Sequence, residues 1–348
     1  MKIVFFTDHF VPEISAPAAH IYDRCKIWAD QGHDVTVVTN VPNYPLGIPY
    51  KGYTNRLRSW EVICGIKVLR VATYMSENKG TVKRTLDYIS FAISSFLNSL
   101  TIRKPDIVYS TSPHIFAPLG AIAFSIIKSV PHVLEVRDLW PESIAATTGM
   151  KRSSLVYRFL EFIERLLYNR SKKVVVFTES FKTNLISKGI MEDKLHVVIN
   201  GANITLFVEP SYNEGLAQLL NLENKFVVGY MGTHGLTHNL LNAVHAASLV
   251  KDENIHFLFV GEGADKEAMV ALAKELKVTN VHFVGRQLRE DIPKYWGLCD
   301  VGLVHLKNDP VFETVIPSKI FETMASGRPI MYCGPDSEGA RLIEKYDC

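Results

Sequence analysis

Cysteine is scarce in this chain, and what there is does not pair. The 348 residues hold five cysteines, Cys25, Cys64, Cys299, Cys333 and Cys348, scattered and without a C-x-x-C pair. A disulfide framework and a cysteine-based zinc site are both unsupported, and a reducing cytoplasm is expected. Long apolar runs are missing too. Ile115 to Ile127 falls short of the roughly 18–20 residues that span a bilayer and reads as a buried helix. The opening, Met1 to Asp8, turns polar too early for a signal peptide and reads as a first strand. There is no internal repeat, no low-complexity tract and no coiled coil. No G-x-G-x-x-G dinucleotide fingerprint and no D-x-D pair for a divalent metal occur. No cofactor and no metal are therefore expected.

What is present is ordinary in bulk and uneven in detail. Apolar residues make up 47% and charged residues 21%, the balance of a folded soluble chain long enough for two cores. The net charge of +2 hides an asymmetry: residues 1–180 carry +7 and residues 181–348 carry −5. Much of the excess lies between Lys51 and Lys104, at Lys51, Arg56, Arg58, Lys67, Arg70, Lys79, Lys83, Arg84, Arg103 and Lys104. Tyr53, Trp60, Tyr74, Phe91, Phe96 and Leu97 are interleaved with them. The mixture suits either an anionic membrane surface or a solvated face over core residues. No dense basic stripe or binding module points to nucleic acid.

Short apolar runs alternate with amphipathic stretches. Ile3–Thr7, Val35–Thr39, Ile107–Ser110, His132–Val136 and Val174–Phe177 read as buried parallel strands, with helices over Ala18–Gln31 and Ser153–Arg170. A second set follows at Phe226–Tyr230, Ile255–Val260, Val281–Val284, Val301–His305 and Pro329–Tyr332. Strand followed by helix implies right-handed β-α-β units. The fold class is α/β, with two doubly wound, Rossmann-like parallel sheets facing each other across a cleft. Residues 1–200 form the first domain, 201–222 a hinge rich in turn formers, and 223–348 the second.

Ligands of such sheets lie beyond the carboxyl ends of the strands. Near the chain's end, Pro317 to Ile330 reads as a helix of about three turns, a glycine stop and a strand, with Pro317 in the first turn and Phe321, Met324 and Ala325 on the apolar face. Ser318, Lys319 and the free amides before and at Ile320 make a seat for a diphosphate, and Glu322 can accept hydrogen bonds from sugar hydroxyls. The alternative is a capped surface helix. Gly229 to Asn239 places three glycines after a strand, which permits close approach to phosphate or sugar. Arg286 follows another strand and can meet the diphosphate. In Glu135 to Ser143, Arg137 and Asp138 can bind an acceptor hydroxyl and Trp140 can stack on a sugar ring; otherwise they fix the loop and fill the core.

Taken together, the pattern resembles the retaining glycosyltransferases of GT-B architecture, glycosyltransferase family 4. The likeness rests on the Pro12-Glu13-Ile14-Ser15-Ala16 loop, Gly32–Thr39, Pro42-Asn43-Tyr44-Pro45, Arg137–Ser143, Asn200-Gly201 and the Pro317–Ile330 block. Two of these, Pro42–Pro45 and Arg137–Ser143, most resemble the branch of bacterial O-antigen and capsule N-acetyl-L-fucosamine transferases and a colanic-acid transferase. The resemblance implies a UDP-sugar donor held by Gly232, Thr233, His238, Arg286, Ser318, Lys319, Ile320 and Glu322. The implied acceptor is an undecaprenyl-diphosphate-linked saccharide near His20, Tyr44, Arg137, Asp138 and Trp140. Lys319, Arg286, Glu313 and Asp138 are the catalytic candidates, and the enzyme would sit peripherally on the cytoplasmic face of the inner membrane.

The chain departs from the family pattern in three places. The first glutamate of E-x7-E falls on Thr314, with Glu313 one residue out of register. Thr233 and His238 stand where many members carry Arg and Lys. Family members continue beyond Cys348, which implies a truncated chain. A nucleotide-sugar 2-epimerase of the same fold, or a weakly active nucleotide-sugar-binding protein, are the alternatives.

Overall fold

A computed structural model of the protein describes residues 1–76, 81–112 and 115–348. Lys79, counted above in the basic stretch, lies outside the described residues. The chain divides into two compact units, Met1–Ile199 and Asn200–Cys348.

The first unit runs β1 (Lys2–Phe6), α1 (Ala16–Asp30), β2 (Asp34–Asn40), β3 (Arg58–Ile63), β4 (Ile66–Val71), α2 (Thr81–Ser99) and β5 (Ile107–Ser112). It continues through α3 (Ala117–Lys128), β6 (His132–Val136), α4 (Glu142–Thr148), α5 (Leu155–Arg170), β7 (Lys173–Val176), α6 (Glu179–Ser187) and β8 (Leu195–Val197). Its sheet order is β3-β4-β2-β1-β5-β6-β7-β8, with β3 antiparallel to β4 and the other pairs parallel. The strand order reverses between β1 and β5, so the loop after β1 lies at the topological switch point. Ser15 caps α1, its hydroxyl accepting from the Ala18 amide, and Gly32 takes φ 84° just beyond the helix.

Three of these strands were not expected. The β3–β4 hairpin turns at Cys64 and Gly65, both at positive φ, and Ile63 pairs with Ile66 across the turn. Cys-Gly is not a usual two-residue hairpin signal, and the charged residues of β3 and β4 read as surface. Arg70 corrects that reading: it is 1% exposed. Its guanidinium pairs with Glu61 at 2.6 Å and donates to the Asn40 and Val11 carbonyls. Phe91, also counted in the basic and aromatic stretch, is buried in the core beside Val4, Val38 and Phe124. β8 adds only three residues at the other edge.

The second unit runs α7 (Glu214–Leu220), β9 (Phe226–Met231), α8 (Leu240–Leu249), β10 (Ile255–Val260), α9 (Lys266–Glu275) and β11 (Val281–Val284). After these come α10 (Ile292–Trp296), β12 (Val301–His305), α11 (Ser318–Ala325), β13 (Ile330–Cys333) and α12 (Glu338–Tyr346). All pairs are parallel, in the order β11-β10-β9-β12-β13, so the switch point falls between β9 and β12. Within 201–222, the stretch expected as a hinge, Phe207, Ala217 and Leu222 pack into this unit's core against Trp296 and Leu298. The fully buried residues of α11 are Lys319, Ile320 and Thr323, while Phe321, Met324 and Ala325, the expected apolar face, are half-buried and pack against the hydrophobic cores. Gly302 makes the burial of Thr323 possible, because a Cβ there would stand 2.4 Å from the Thr323 methyl.

Replacing Arg70 with Ala strips Glu61 and two backbone carbonyls of their donor. Urea unfolding should show a loss of about 2–3 kcal/mol, against almost none for Ala at the exposed Lys51. Equal stability of the two variants would refute a structural role for Arg70.

Candidate active site

The carboxyl ends of β9 and β12 converge on one ammonium group. Lys319, in the first turn of α11, is 7% exposed. Its Nζ donates to the Tyr230 hydroxyl at 2.9 Å and lies 4.4 Å from that ring's centroid. Tyr230 is fully buried near the end of β9, and its hydroxyl in turn donates to the Thr233 carbonyl at 2.8 Å. His238 Nδ1 lies 3.4 Å from Lys319 Nζ and 3.3 Å from the His305 carbonyl. A neutral imidazole nitrogen serves one of these at a time, accepting from the lysine or donating to the carbonyl.

No ion pair holds Lys319 among the described residues. Burial lowers its pKa from 10.5 to about 7, and only the nearby Glu322 opposes the shift. Burial and the facing Lys319 push His238 down to about 3, so that imidazole stays neutral. Gly232 is exposed, with φ 140°, and a Cβ there would lie 3.6 Å from Lys319 Cε and 4.0 Å from Nζ. The glycine thus leaves open the approach to the amine.

The backbone around this group is tightly packed. A Cβ on Gly261 would lie 1.9 Å from the Gly232 carbonyl oxygen, so the loops after β9 and β10 touch main chain to main chain. His234 is sealed between them beside the Tyr230 and Phe259 rings, and burial lowers its pKa to about 4. Pro317 occupies the cap of α11 rather than its first turn, and no side chain caps the helix. The Ile320 amide does not join the anion seat, because it donates to the Pro317 carbonyl at 3.1 Å. The seat narrows to the Ser318 and Lys319 amides.

Other expected donor residues lie further out. Thr233 is exposed and contributes its carbonyl to Tyr230. Arg286 is exposed after β11; its backbone N–H meets the Glu262 carboxylate, which pairs with Lys266 at 2.6 Å. Glu322 is half-buried one turn after Ser318. Glu313 is exposed, and its carbonyl accepts from the Glu338 amide at 3.0 Å.

In the first unit, the loop after β1 builds a second polar cluster. Glu13 is buried and accepts from the Asn43 and Tyr44 amides at 2.9 and 3.0 Å. Its other oxygen meets His9 Nδ1 at 2.7 Å, while His9 Nε2 faces Asp8 at 3.4 Å. Burial disfavours the imidazolium of His9, but Asp8, Glu13 and Asp87 outweigh it and raise the pKa to about 9. The Tyr44 ring meets His9 edge-on at 5.0 Å. His20 is half-buried on α1.

After β6, Arg137 is held by a carboxylate other than the adjacent Asp138, with which the alternative reading pairs it. Arg137 pairs with the buried Glu135 at 2.8 Å and lies over the Phe177 ring, and Glu135 also takes Arg24 and the Thr111 hydroxyl. A buried carboxylate needs these donors more than a solvated one does. Asp138 keeps contact with solvent, yet desolvation by the surrounding protein raises its carboxyl to about 6 against the pull of Arg137. Trp140 is half-buried and packs on the core under α5.

Sequence reasoning missed Tyr230, His305 and the His9–Glu13 pair. Tyr230 reads as one more apolar strand residue, and no local spacing betrays its hydroxyl.

Lys319 binds fewer protons in the folded than in the unfolded chain between pH 7 and 10.5, so its contribution makes stability rise with pH across that window. The stability of the parent relative to Lys319→Met should rise by up to roughly 1.4 kcal/mol per pH unit there. A difference independent of pH would show that the amine titrates normally.

Residues 15–201 match the glycosyl transferase 4-like domain, and residues 225–344 match the glycosyl transferases group 1 family. An Escherichia coli K12 protein named "Putative colanic acid biosynthesis glycosyl transferase WcaI" is 26% identical over 357 residues, covering 99% of this chain and 86% of its own. Anabaena HepE, solved with UDP-glucose, superposes with a TM-score of 0.67 at 16% identity over 99% of this chain and 82% of its own. WaaG, a glycosyltransferase involved in lipopolysaccharide biosynthesis, gives 0.68 at 16% identity over 100% and 85%. These structures share the GT-B fold of two Rossmann-like domains. The chain belongs to the glycosyl transferase 4-like family and is a GT-B glycosyltransferase.

Proposed function

We propose that this enzyme moves a sugar from a UDP-linked donor to an undecaprenyl-diphosphate-linked saccharide, with retention of anomeric configuration, in assembling a bacterial surface polysaccharide. The donor sugar in this reading is an N-acetylated hexose of the N-acetyl-L-fucosamine type, and the work is done peripherally at the cytoplasmic face of the inner membrane. The observation that carries the donor half is Lys319, a buried amine with no carboxylate partner among the described residues, beneath an exposed glycine and beside uncapped helix amides. A diphosphate supplies the missing counter-charge, and HepE, of like fold, binds UDP-glucose. The name of the E. coli relative points the same way for the product class.

In this mechanism the diphosphate lies on the Ser318 and Lys319 amides and the Lys319 ammonium, with Arg286 reaching in from β11. Glu322 takes the ribose hydroxyls, and His238, Gly232 and Glu313 meet the sugar. The acceptor hydroxyl is bound in the first unit by Asp138, His20 and Tyr44, with Arg137 and Trp140 shaping that loop. The C1–O bond to the diphosphate breaks, and the acceptor oxygen bonds C1 on the same face. The acceptor proton passes to the departing phosphate oxygen. Fixed positive charge and amide donors stabilise the anion as it forms, usually the largest catalytic contribution.

Lys319→Ala should lower kcat/KM by about 10²–10³-fold, measured over a panel of UDP- and GDP-sugars with undecaprenyl-diphosphate-linked acceptors. Turnover within a few-fold of the parent would remove Lys319 from the chemistry. Release of a free epimer from UDP-sugar alone would replace transfer by epimerisation.

A further inference from the structure

The outer face of α2 has the wrong polarity for water. Its inner face buries Phe91 and Ala92 on the sheet, as an amphipathic helix should. The outer face carries Val82, Leu86, Ile89, Ile93 and Leu97, with Leu100 just beyond, all between 37 and 75% exposed. Their spacing of three and four residues makes one stripe about 22 Å long from Val82 to Leu97. The exposed charges of α2 are Lys83 and Arg84, and its one acidic residue, Asp87, is turned inward, where its charge acts on His9. At the far end, Arg103 and Lys104 are exposed and Lys128 donates to the Leu100 carbonyl at 3.1 Å. Ile126 and Ile127, on the neighbouring α3, are each 57% exposed. No helix among the described residues is long and apolar enough to cross a membrane.

We infer that α2 is a docking helix that lies in the plane of an anionic lipid leaflet, its stripe sunk among the acyl chains and its two cationic ends on the headgroups. The charge pattern selects this occupant. A second copy laid against the stripe, parallel or antiparallel, brings cationic end onto cationic end, whereas an anionic leaflet neutralises both. The location differs from the broad Lys51–Lys104 surface read from composition, since Arg70 and Phe91 of that stretch are internal. It also sets the inserted helix beside the His9–Glu13 loop through Asp87, where a lipid-linked acceptor would arrive; that last consequence rests on the proposed reaction, and the docking itself does not.

Cosedimentation with phosphatidylcholine vesicles, with and without about 30% phosphatidylglycerol, tests this directly. The parent protein should bind the anionic vesicles. The double variant Leu86→Gln/Ile93→Gln should partition at least about tenfold less. Lys83→Gln/Arg84→Gln should lose roughly 25-fold at low salt, as each basic residue near the surface contributes about 1 kcal/mol, a factor of five. UDP affinity, measured on the same proteins, should not change, because that site belongs to the other unit. Unchanged partitioning of Leu86→Gln/Ile93→Gln would overturn the inference, as would loss confined to Phe159→Gln/Phe162→Gln on α5. A solution dimer dissolved by Leu86→Gln/Ile93→Gln would assign the stripe to a second copy instead. Vesicle binding without UDP binding would break the proposed reaction and leave the docking helix standing; UDP binding without vesicle binding would overturn the docking helix and the peripheral placement, and leave the donor site standing.

Discussion

An amine removed from water without an ion-paired carboxylate gives up its proton more readily, and the carboxyl ends of β9 and β12 are arranged around one such amine, Lys319. Tyr230 offers Lys319 a hydroxyl and a ring face, both weaker partners than an anion. Gly302 lets α11 lie close enough to β12 to bring the side chain in. Gly261 lets the β10 loop close onto Gly232, which lies against the Lys319 side chain. The amine is about half charged at neutral pH when the site is empty, and an anion bound beside it would draw the proton on fully.

The first unit handles its buried charges in the opposite way. Glu135 and Glu13 are fully inside, and each is surrounded by donors: two guanidiniums and a hydroxyl for one, two amides and an imidazole for the other. Such carboxylates fix loops at the ends of β1 and β6. The groups left facing solvent, His9 and Asp138, are positioned by those buried anions and by the charges beside them. Rigid loops with a few exposed polar groups suit recognition of a saccharide hydroxyl, where geometry matters more than net charge.

Much of this was legible in the residues, for identifiable reasons. Continuous apolar runs at Val35–Thr39 and Val301–His305 announce strands buried on both faces, and alternation with helices announces parallel sheets. The anion seat before Lys319 was legible because a helix start, a lysine and a glycine stop are local signals. The hairpin at Cys64-Gly65 was not, since its turn lacks the usual residues and its partner Arg70 owes its burial to Glu61, Asn40 and Val11, brought near only by folding. Tyr230 beneath Lys319, 89 residues apart, is a contact that no spacing in the sequence encodes. Arg137 pairs with Glu135, two residues back on the same side of the extended chain, and Asp138 acts on it only through its charge.

Proton uptake on UDP binding tests most directly whether Lys319 is the missing counter-charge. Titration calorimetry at pH 8, in two buffers of different ionisation enthalpy, should show close to one proton taken up per UDP bound, because the diphosphate draws the amine's pKa upward from about 7. The uptake should vanish in Lys319→Met. Binding with no proton uptake, or the same uptake in both proteins, would contradict the assignment of that amine to the diphosphate.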